Sequence, residues 1–273
     1  MPFIKTADGT EIFYNDWGTG APVILIHGWP LSSASWEYQA RVLAESGFRV
    51  ISYDRRGFGK SSQPFFGYDY DTLAGDLANL IDTLDLSGAT LVGFSMGGGE
   101  VARYLGHYGA TRIVKAVFIA AVTPFMLKTS SNPEGVDQTV FNGMLEGIRK
   151  DRPAFLKEFL PKFYGRTLVH HTVSEAILDF SLMMALQASP KATLECATAF
   201  SATDFRDDLR KITIPTLIIH GTSDGTVPID VSGRRTAAML PHAHFLQYEG
   251  EPHGLTATVP DRLNADLLTF LRS

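Results

Sequence analysis

Between residues 22 and 120, four short apolar runs (23–26, 48–53, 89–94 and 114–120) alternate with amphipathic stretches at 34–46, 70–84 and 97–108. Tyr38, Val42 and Leu43 share one helical face, as do Leu73, Leu77, Leu80 and Leu84. The apolar runs are short and bounded, which suits strands buried on both sides. Strands separated by helices run parallel, with right-handed crossovers over the faces of the sheet. The alternation therefore predicts an α/β fold: a mostly parallel sheet with helices on both faces.

The flanking segments differ. Residues 3–7 and 10–17 surround Asp8-Gly9, a hairpin pair, so the sheet should open with an antiparallel hairpin. From Thr123 to about Thr203, prolines at 124, 133, 153, 161 and 190 punctuate helical segments and β-branched runs vanish. Pro133, Pro153 and Pro190 each suit the first turn of a helix. Strand signals return at 214–220 and 244–248, with helical stretches at 229–239 and 258–272. The expected organisation is an eight-stranded core, residues 1–122 and 204–273, interrupted by a helical insertion, 123–203.

A chain of 273 residues can bury a substantial core. Its net charge of −5 argues against a nucleic-acid partner, which would call for a basic stripe. Arg55, Arg56 and Lys60 form the only dense basic cluster and sit beside Asp54, so a local structural role is expected for them. The longest apolar run, 113–122, is interrupted by Lys115 and too short to span a bilayer, so no membrane partner is expected. Residues 1–5 do not resemble a signal peptide. Cys196 is the one cysteine. That usage fits a cytoplasmic protein in which Cys196 is a small buried filler.

The strand at 89–94 runs into Gly93-Phe94-Ser95-Met96-Gly97, and a helix follows at once. A G-x-S-x-G string in that setting describes a sharp strand-to-helix turn, with glycines relieving the crowding around a projecting serine. The plainer alternative is a glycine-rich turn with an idle serine. A serine hydroxyl needs a base to take its proton, and the base needs an orienting acid. Asp224 sits four residues past the run ending at His220, and His253 follows the next strand, so both belong on the sheet edge that carries Ser95. Acid then histidine is the chain order such a site requires.

Competitors fit less well. Asp204, Asp207 and Asp208 would reach the site only if the end of the insertion folds back, Asp230 belongs to the following helix, and Asp54 precedes Ser95. His107, His170, His171, His220, His242 and His244 are expected to be structural or exposed. No metal motif occurs, since there is no H-E-x-x-H and His242-Ala243-His244 lacks a carboxylate partner. Gly59-Lys60-Ser61 lacks the first glycine of a phosphate loop, and Gly57-Phe58-Gly59 lacks a glycine at 62. No cofactor is implied.

His27-Gly28-Trp29-Pro30 follows the strand at 23–26. A tetrahedral intermediate needs two backbone donors, and the N–H groups of Met96 and Trp29 are the expected pair, because Pro30 has none. Trp29 can pack through its side chain at the same time.

His27-Gly28-Trp29-Pro30, Asp54-Arg55-Arg56-Gly57-Phe58-Gly59-Lys60-Ser61, Gly93-Phe94-Ser95-Met96-Gly97-Gly98-Gly99 and Pro252-His253-Gly254-Leu255 together resemble the bacterial arylesterase and cofactor-free haloperoxidase (perhydrolase) family. The likeness runs nearly end to end. It implies an α/β-hydrolase core with a helical cap, with Ser95 as nucleophile, Asp224 as acid and His253 as base. It also implies hydrolysis of aryl and short alkyl esters, and formation of peracids from carboxylic acid and hydrogen peroxide. The peracid would then oxidise halide without enzyme help. Some relatives hydrolyse γ-lactams, and the family suggests a homo-oligomer. Haloperoxidase-type members often carry proline where Pro30 stands, and a proline there restricts Trp29, a basis for peroxide preference. This chain departs from the family at Gly221-Thr222-Ser223-Asp224, where Gly-Asp-x-Asp is common, and at Glu251, where a small residue is usual.

Of the aromatic and methionine residues in the insertion, Phe125, Phe141, Met144 and Phe159 are expected to line a substrate pocket with Trp29 and Pro30. Other functions remain open on the same residues. They are an amidase or lactamase, a C–C bond hydrolase, and a non-catalytic binding protein that keeps the fold. Haloalkane dehalogenase and epoxide hydrolase chemistry is disfavoured, since it needs a carboxylate at position 95.

Overall fold

The structure is a computed structural model that describes residues 2–167 and 169–273. Among these residues, eight strands form one sheet: β1 Phe3–Lys5, β2 Glu11–Trp17, β3 Pro22–Ile26, β4 Arg49–Tyr53, β5 Ala89–Phe94, β6 Ile113–Ile119, β7 Thr216–Gly221 and β8 His244–Tyr248. Their order is β1-β2-β4-β3-β5-β6-β7-β8. The sheet opens with the expected hairpin, closed where Asp8 accepts from Thr6 Oγ1 (2.6 Å) and the Thr10 N–H (3.0 Å). β2 also pairs antiparallel with β4, and every later pairing is parallel. The C-terminal ends of β3 to β8 therefore share one edge.

Period-two alternation divides the core. Val23 and Leu25 of β3 pack with Ala40, Leu43, Leu263 and Leu267, whereas Ile24 and Ile26 pack with Leu73, Leu77, Val101 and Leu105. The helices responsible are α1 Glu37–Glu45, α2 Tyr70–Thr83 and α3 Met96–Tyr108, with α10 Pro260–Arg272 at the C-terminus. Because both faces are covered, all six residues of β5 are buried. Lys115, the charge inside an apolar run, reaches out of the sheet and donates to the carbonyls of Phe270 (2.8 Å) and Leu271 (3.0 Å), capping that last helix.

After β6 the chain leaves the sheet for α4 Gln138–Phe163, α5 Glu175–Gln187 and α6 Pro190–Ala202 before returning through α7 Arg206–Leu209. Asp151 interrupts α4 with an extended backbone and accepts from the Ala154 N–H (3.0 Å), so Pro153 opens a new helical segment. Pro190 opens α6 in the same way. Pro133 does not open a helix. It lies in the turn that the Gly135 N–H closes on Asn132 O (3.1 Å), and α4 starts five residues after it under an Asp137 cap.

Two C-terminal helices differ from the sequence reading. The stretch 229–239 becomes helical only at α8 Gly233–Met239, after turns. At Gly233 a Cβ would lie 2.6 Å from His220 Nδ1, so the helix begins where the chain presses on that ring. The stretch expected at 258–272 is α10 Pro260–Arg272, set apart from a short helix α9 Leu255–Thr258 because Pro260 has no N–H to continue a preceding helix. Among the described residues no helix is long and apolar enough to cross a membrane.

Candidate active site

Ser95 occupies the single residue between β5 and α3, with φ 54° and ψ −117°. A non-glycine residue in that region costs of order 1–3 kcal/mol and persists only where its surroundings enforce it. Here the Ser95 N–H donates to Ile119 O on β6 (2.8 Å), and its carbonyl accepts from the Gly98 N–H (3.0 Å). The flanking glycines are sterically required. A Cβ on Gly93 would lie 2.5 Å from Gly97 O, and one on Gly97 would lie 2.3 Å from Ile26 O.

The loops after β7 and β8 bring two further side chains to Ser95. His253 Nε2 lies 2.9 Å from Ser95 Oγ, and its Nδ1 lies 2.6 Å from Asp224 Oδ2. A carboxylate on Nδ1 places the ring proton there, which leaves Nε2 free to accept from the serine hydroxyl. Asp224 Oδ1 accepts from the N–H groups of Thr226 (2.9 Å) and Val227 (2.8 Å). Burial opposes ionisation of Asp224, but His253 and hydrogen bonds from both neighbouring histidines outweigh it, holding this carboxyl well below the ordinary range.

The second of these histidines is His220, fully buried at the end of β7. Its Nε2 donates to Val227 O (2.8 Å) and lies 3.2 Å from Asp224 Oδ2. His253 is held from the sides as well. The Phe94 ring lies 5.2 Å away and the Phe163 ring 4.8 Å away, the latter edge-on, and the Gly254 N–H donates to Phe163 O (3.0 Å).

A buried polar network supports the loop after β3. His27 Nε2 accepts from the Arg55 N–H (3.1 Å), and its Nδ1 donates to Gly28 O (3.0 Å). Burial and the Arg55 charge push this imidazole well below its ordinary pKa, so it stays neutral. The Arg55 guanidinium donates to His27 O (2.7 Å) and pairs with Glu100, which also accepts from Tyr53 (2.7 Å). Arg56 binds Asp76 through two bonds (2.6 and 2.7 Å), and Asp54 accepts from the Ser33 (2.8 Å) and Lys60 (2.7 Å) N–H groups. The basic cluster is thus structural. It fixes the loop carrying Trp29, whose indole donates to Thr193 O (3.0 Å) in α6. Among the described residues, the backbone N–H groups of Trp29 and Met96 have no acceptor in the protein.

A cavity of about 410 Å³ opens over Ser95. Trp29, Met126, Phe141, Met144, Phe155, Phe159 and Phe200 supply its aromatic and methionine wall. Phe159 meets the Trp29 ring edge-on at 5.4 Å and stacks on Phe155 at 5.9 Å, so the insertion is keyed to the sheet edge through aromatic contacts. The arrangement sets a serine hydroxyl within hydrogen-bond reach of an imidazole, and that imidazole within reach of a carboxylate, beside an apolar chamber.

Residues 21–256 match the model of the alpha/beta hydrolase fold family. The chain belongs to the α/β-hydrolase family. Within it, the chain is 43% identical to the non-heme chloroperoxidase CPO-A1 of Kitasatospora aureofaciens, over 99% of both chains. It is 41% identical to the bifunctional esterase/perhydrolase DCH of Acinetobacter calcoaceticus, over the full length of both. The crystal structure of a bromoperoxidase from Bacillus anthracis superposes with a TM-score of 0.93 at 53% identity, covering 97% of this chain and 96% of that one.

In this α/β-hydrolase two expected wall residues lie elsewhere. Phe125 is buried under the Arg206 guanidinium, 5.5 Å from its ring centre, and the next residue, Met126, takes the wall instead. Pro30 is buried and does not line the cavity. The competing acids are paired away from Ser95: Asp204 with Arg206, Asp207 with Arg210, Asp208 with Arg103 and Asp230 with Arg234. Cys196 is buried, which pushes its thiol up to about 12.

Proposed function

We propose that this α/β-hydrolase is a serine esterase acting on small aryl or alkyl esters, with hydrogen peroxide as an alternative to water in the second half-reaction. The observation that carries this reading is the continuous path from Asp224 Oδ2 through His253 to Ser95 Oγ, 2.6 and 2.9 Å long, beneath an apolar cavity. Ser95 Oγ bonds to the ester carbonyl carbon and passes its proton to His253 Nε2. The resulting oxyanion takes hydrogen bonds from the Trp29 and Met96 N–H groups. Collapse breaks the bond to the leaving alcohol, which departs with the proton from His253. Asp224 keeps the imidazole in the required tautomer and stabilises its charged form.

Water or hydrogen peroxide then attacks the acyl-enzyme and gives its proton to His253, and Ser95 leaves with that proton. The product is a carboxylic acid or a peracid respectively. Residues 123–203 act as the cap that shapes the acyl site, with residues 1–122 and 204–273 as the catalytic core. A cytoplasmic setting fits the single cysteine.

The test is hydrolysis of p-nitrophenyl acetate, and peracid formation from acetate and peroxide, by native protein and by Ser95→Ala. Native protein should show an initial burst and steady turnover. Ser95→Ala should lose turnover by about a million-fold, as when such a nucleophile is removed elsewhere. Near-native hydrolysis by that variant would refute the reading.

A further inference from the structure

The wall of the cavity over Ser95 carries one ionic side chain among the described residues, Lys162. Lys162 lies on α4 one turn past Phe159, which packs on Trp29, and directly before Phe163, whose ring rests on His253. It also lines a groove on the outer surface with Glu158, Pro161 and Arg166. Its side chain therefore stands where the apolar chamber meets the outside. Among the described residues the Lys162 ammonium has no hydrogen bond or ion pair. Glu158, one turn earlier, does not come within 4.0 Å of it, and Arg166 is already paired with Glu175.

A chamber of this kind, with an apolar wall and one unpaired cation at its rim, is complementary to a ligand with an apolar middle and an anionic end. We propose that Lys162 forms a carboxylate subsite, so that the favoured substrates are esters or lactones whose acyl chain ends in a second, unreactive carboxylate. This rests on the reading of Ser95 as the nucleophile. The remote carboxylate is ionised at neutral pH and takes no part in bond making. Its role is to fill the rim while the apolar segment between the two carbonyl carbons lies against Phe141, Phe155 and Phe159. Glu158 is the nearest competitor for the ammonium on the same helix.

The experiment compares monomethyl with dimethyl esters of succinic, glutaric, adipic and pimelic acids, scored as the ratio of kcat/KM for the monoester to that for the diester. In Lys162→Met the ratio should fall about fivefold, the size of effect a partly exposed ion pair supports, mainly through KM. It should fall further in Lys162→Glu, recover in Lys162→Arg and narrow with added salt in native protein. One chain length should show the effect most strongly. An unchanged ratio in both Lys162→Met and Lys162→Glu, with both esters still hydrolysed, overturns the subsite and leaves the esterase reading standing. Failure of native protein to hydrolyse either ester overturns both.

Discussion

The Phe163 ring and the His253 imidazole meet edge to face, with centroids 4.8 Å apart and planes at 80°. Phe163 is the last residue of α4, so the longest helix of the insertion ends against the His253 ring. The contact joins the insertion to His253 as well as to the pocket. Edge contacts between rings are worth roughly 0.5–1.5 kcal/mol beyond burial. Phe163→Leu, which keeps an apolar side chain but loses the edge, should lower kcat on p-nitrophenyl acetate about three- to tenfold with a smaller change in KM. Unchanged kcat would show that His253 needs no support from this side.

Asp224→Asn leaves the geometry in place but presents an N–H where a carboxylate should be, favouring the wrong tautomer of His253. Turnover should drop by about ten-thousand-fold. The same variant tests the titration. Asp224 is held below its ordinary value near 3.8, so its contribution to stability is fully present above that value and is lost as pH falls toward the folded-state value. The difference in Tm between native protein and Asp224→Asn should be flat above about pH 5 and shrink below pH 4. A difference that stays constant down to pH 3 would contradict the assigned shift.

Glu100 and Arg55 are both fully buried, and Arg55 holds the carbonyl of His27 at the start of the Trp29 loop. Removing one partner leaves a charge without compensation, which typically costs about 3–5 kcal/mol. Glu100→Ala should therefore lose stability on that scale in chemical denaturation, and kcat should fall as the loop loosens. Replacing both residues by methionine should recover part of the stability. Additive losses in the double variant would show that the pair is not coupled.

How much of this was legible in the chain depends on what a residue's position determines. Ser95, Asp224 and His253 each follow a run of buried-strand residues, and a parallel sheet sends the ends of those strands to one edge, so their convergence follows from topology. Side-chain direction is another matter. Phe125 and Met126 were indistinguishable as candidates, yet one faces Arg206 and the other the cavity, a choice the irregular backbone after β6 makes. Pro30 is likewise buried away from the cavity wall.

His220 read as structural because it precedes Asp224, and its place beside Asp224 Oδ2 depends on the loop turning back over the strand end. A histidine at the end of the strand four residues before the acid was the available signal. Phe163 carried no signal, since its contact with His253 depends on how α4 crosses the sheet edge. The shortened helices at 229–239 and 258–272 show propensity yielding to local events, the His220 ring at Gly233 and the missing N–H of Pro260.

The most direct measurement is labelling with a fluorophosphonate probe followed by peptide mapping, with esterase activity followed on the same sample. One equivalent of probe should attach to Ser95 and abolish hydrolysis, and Ser95→Ala should take up none. Labelling at another serine with activity lost, or full activity after Ser95 is modified, would contradict the assignment of this hydroxyl as the nucleophile.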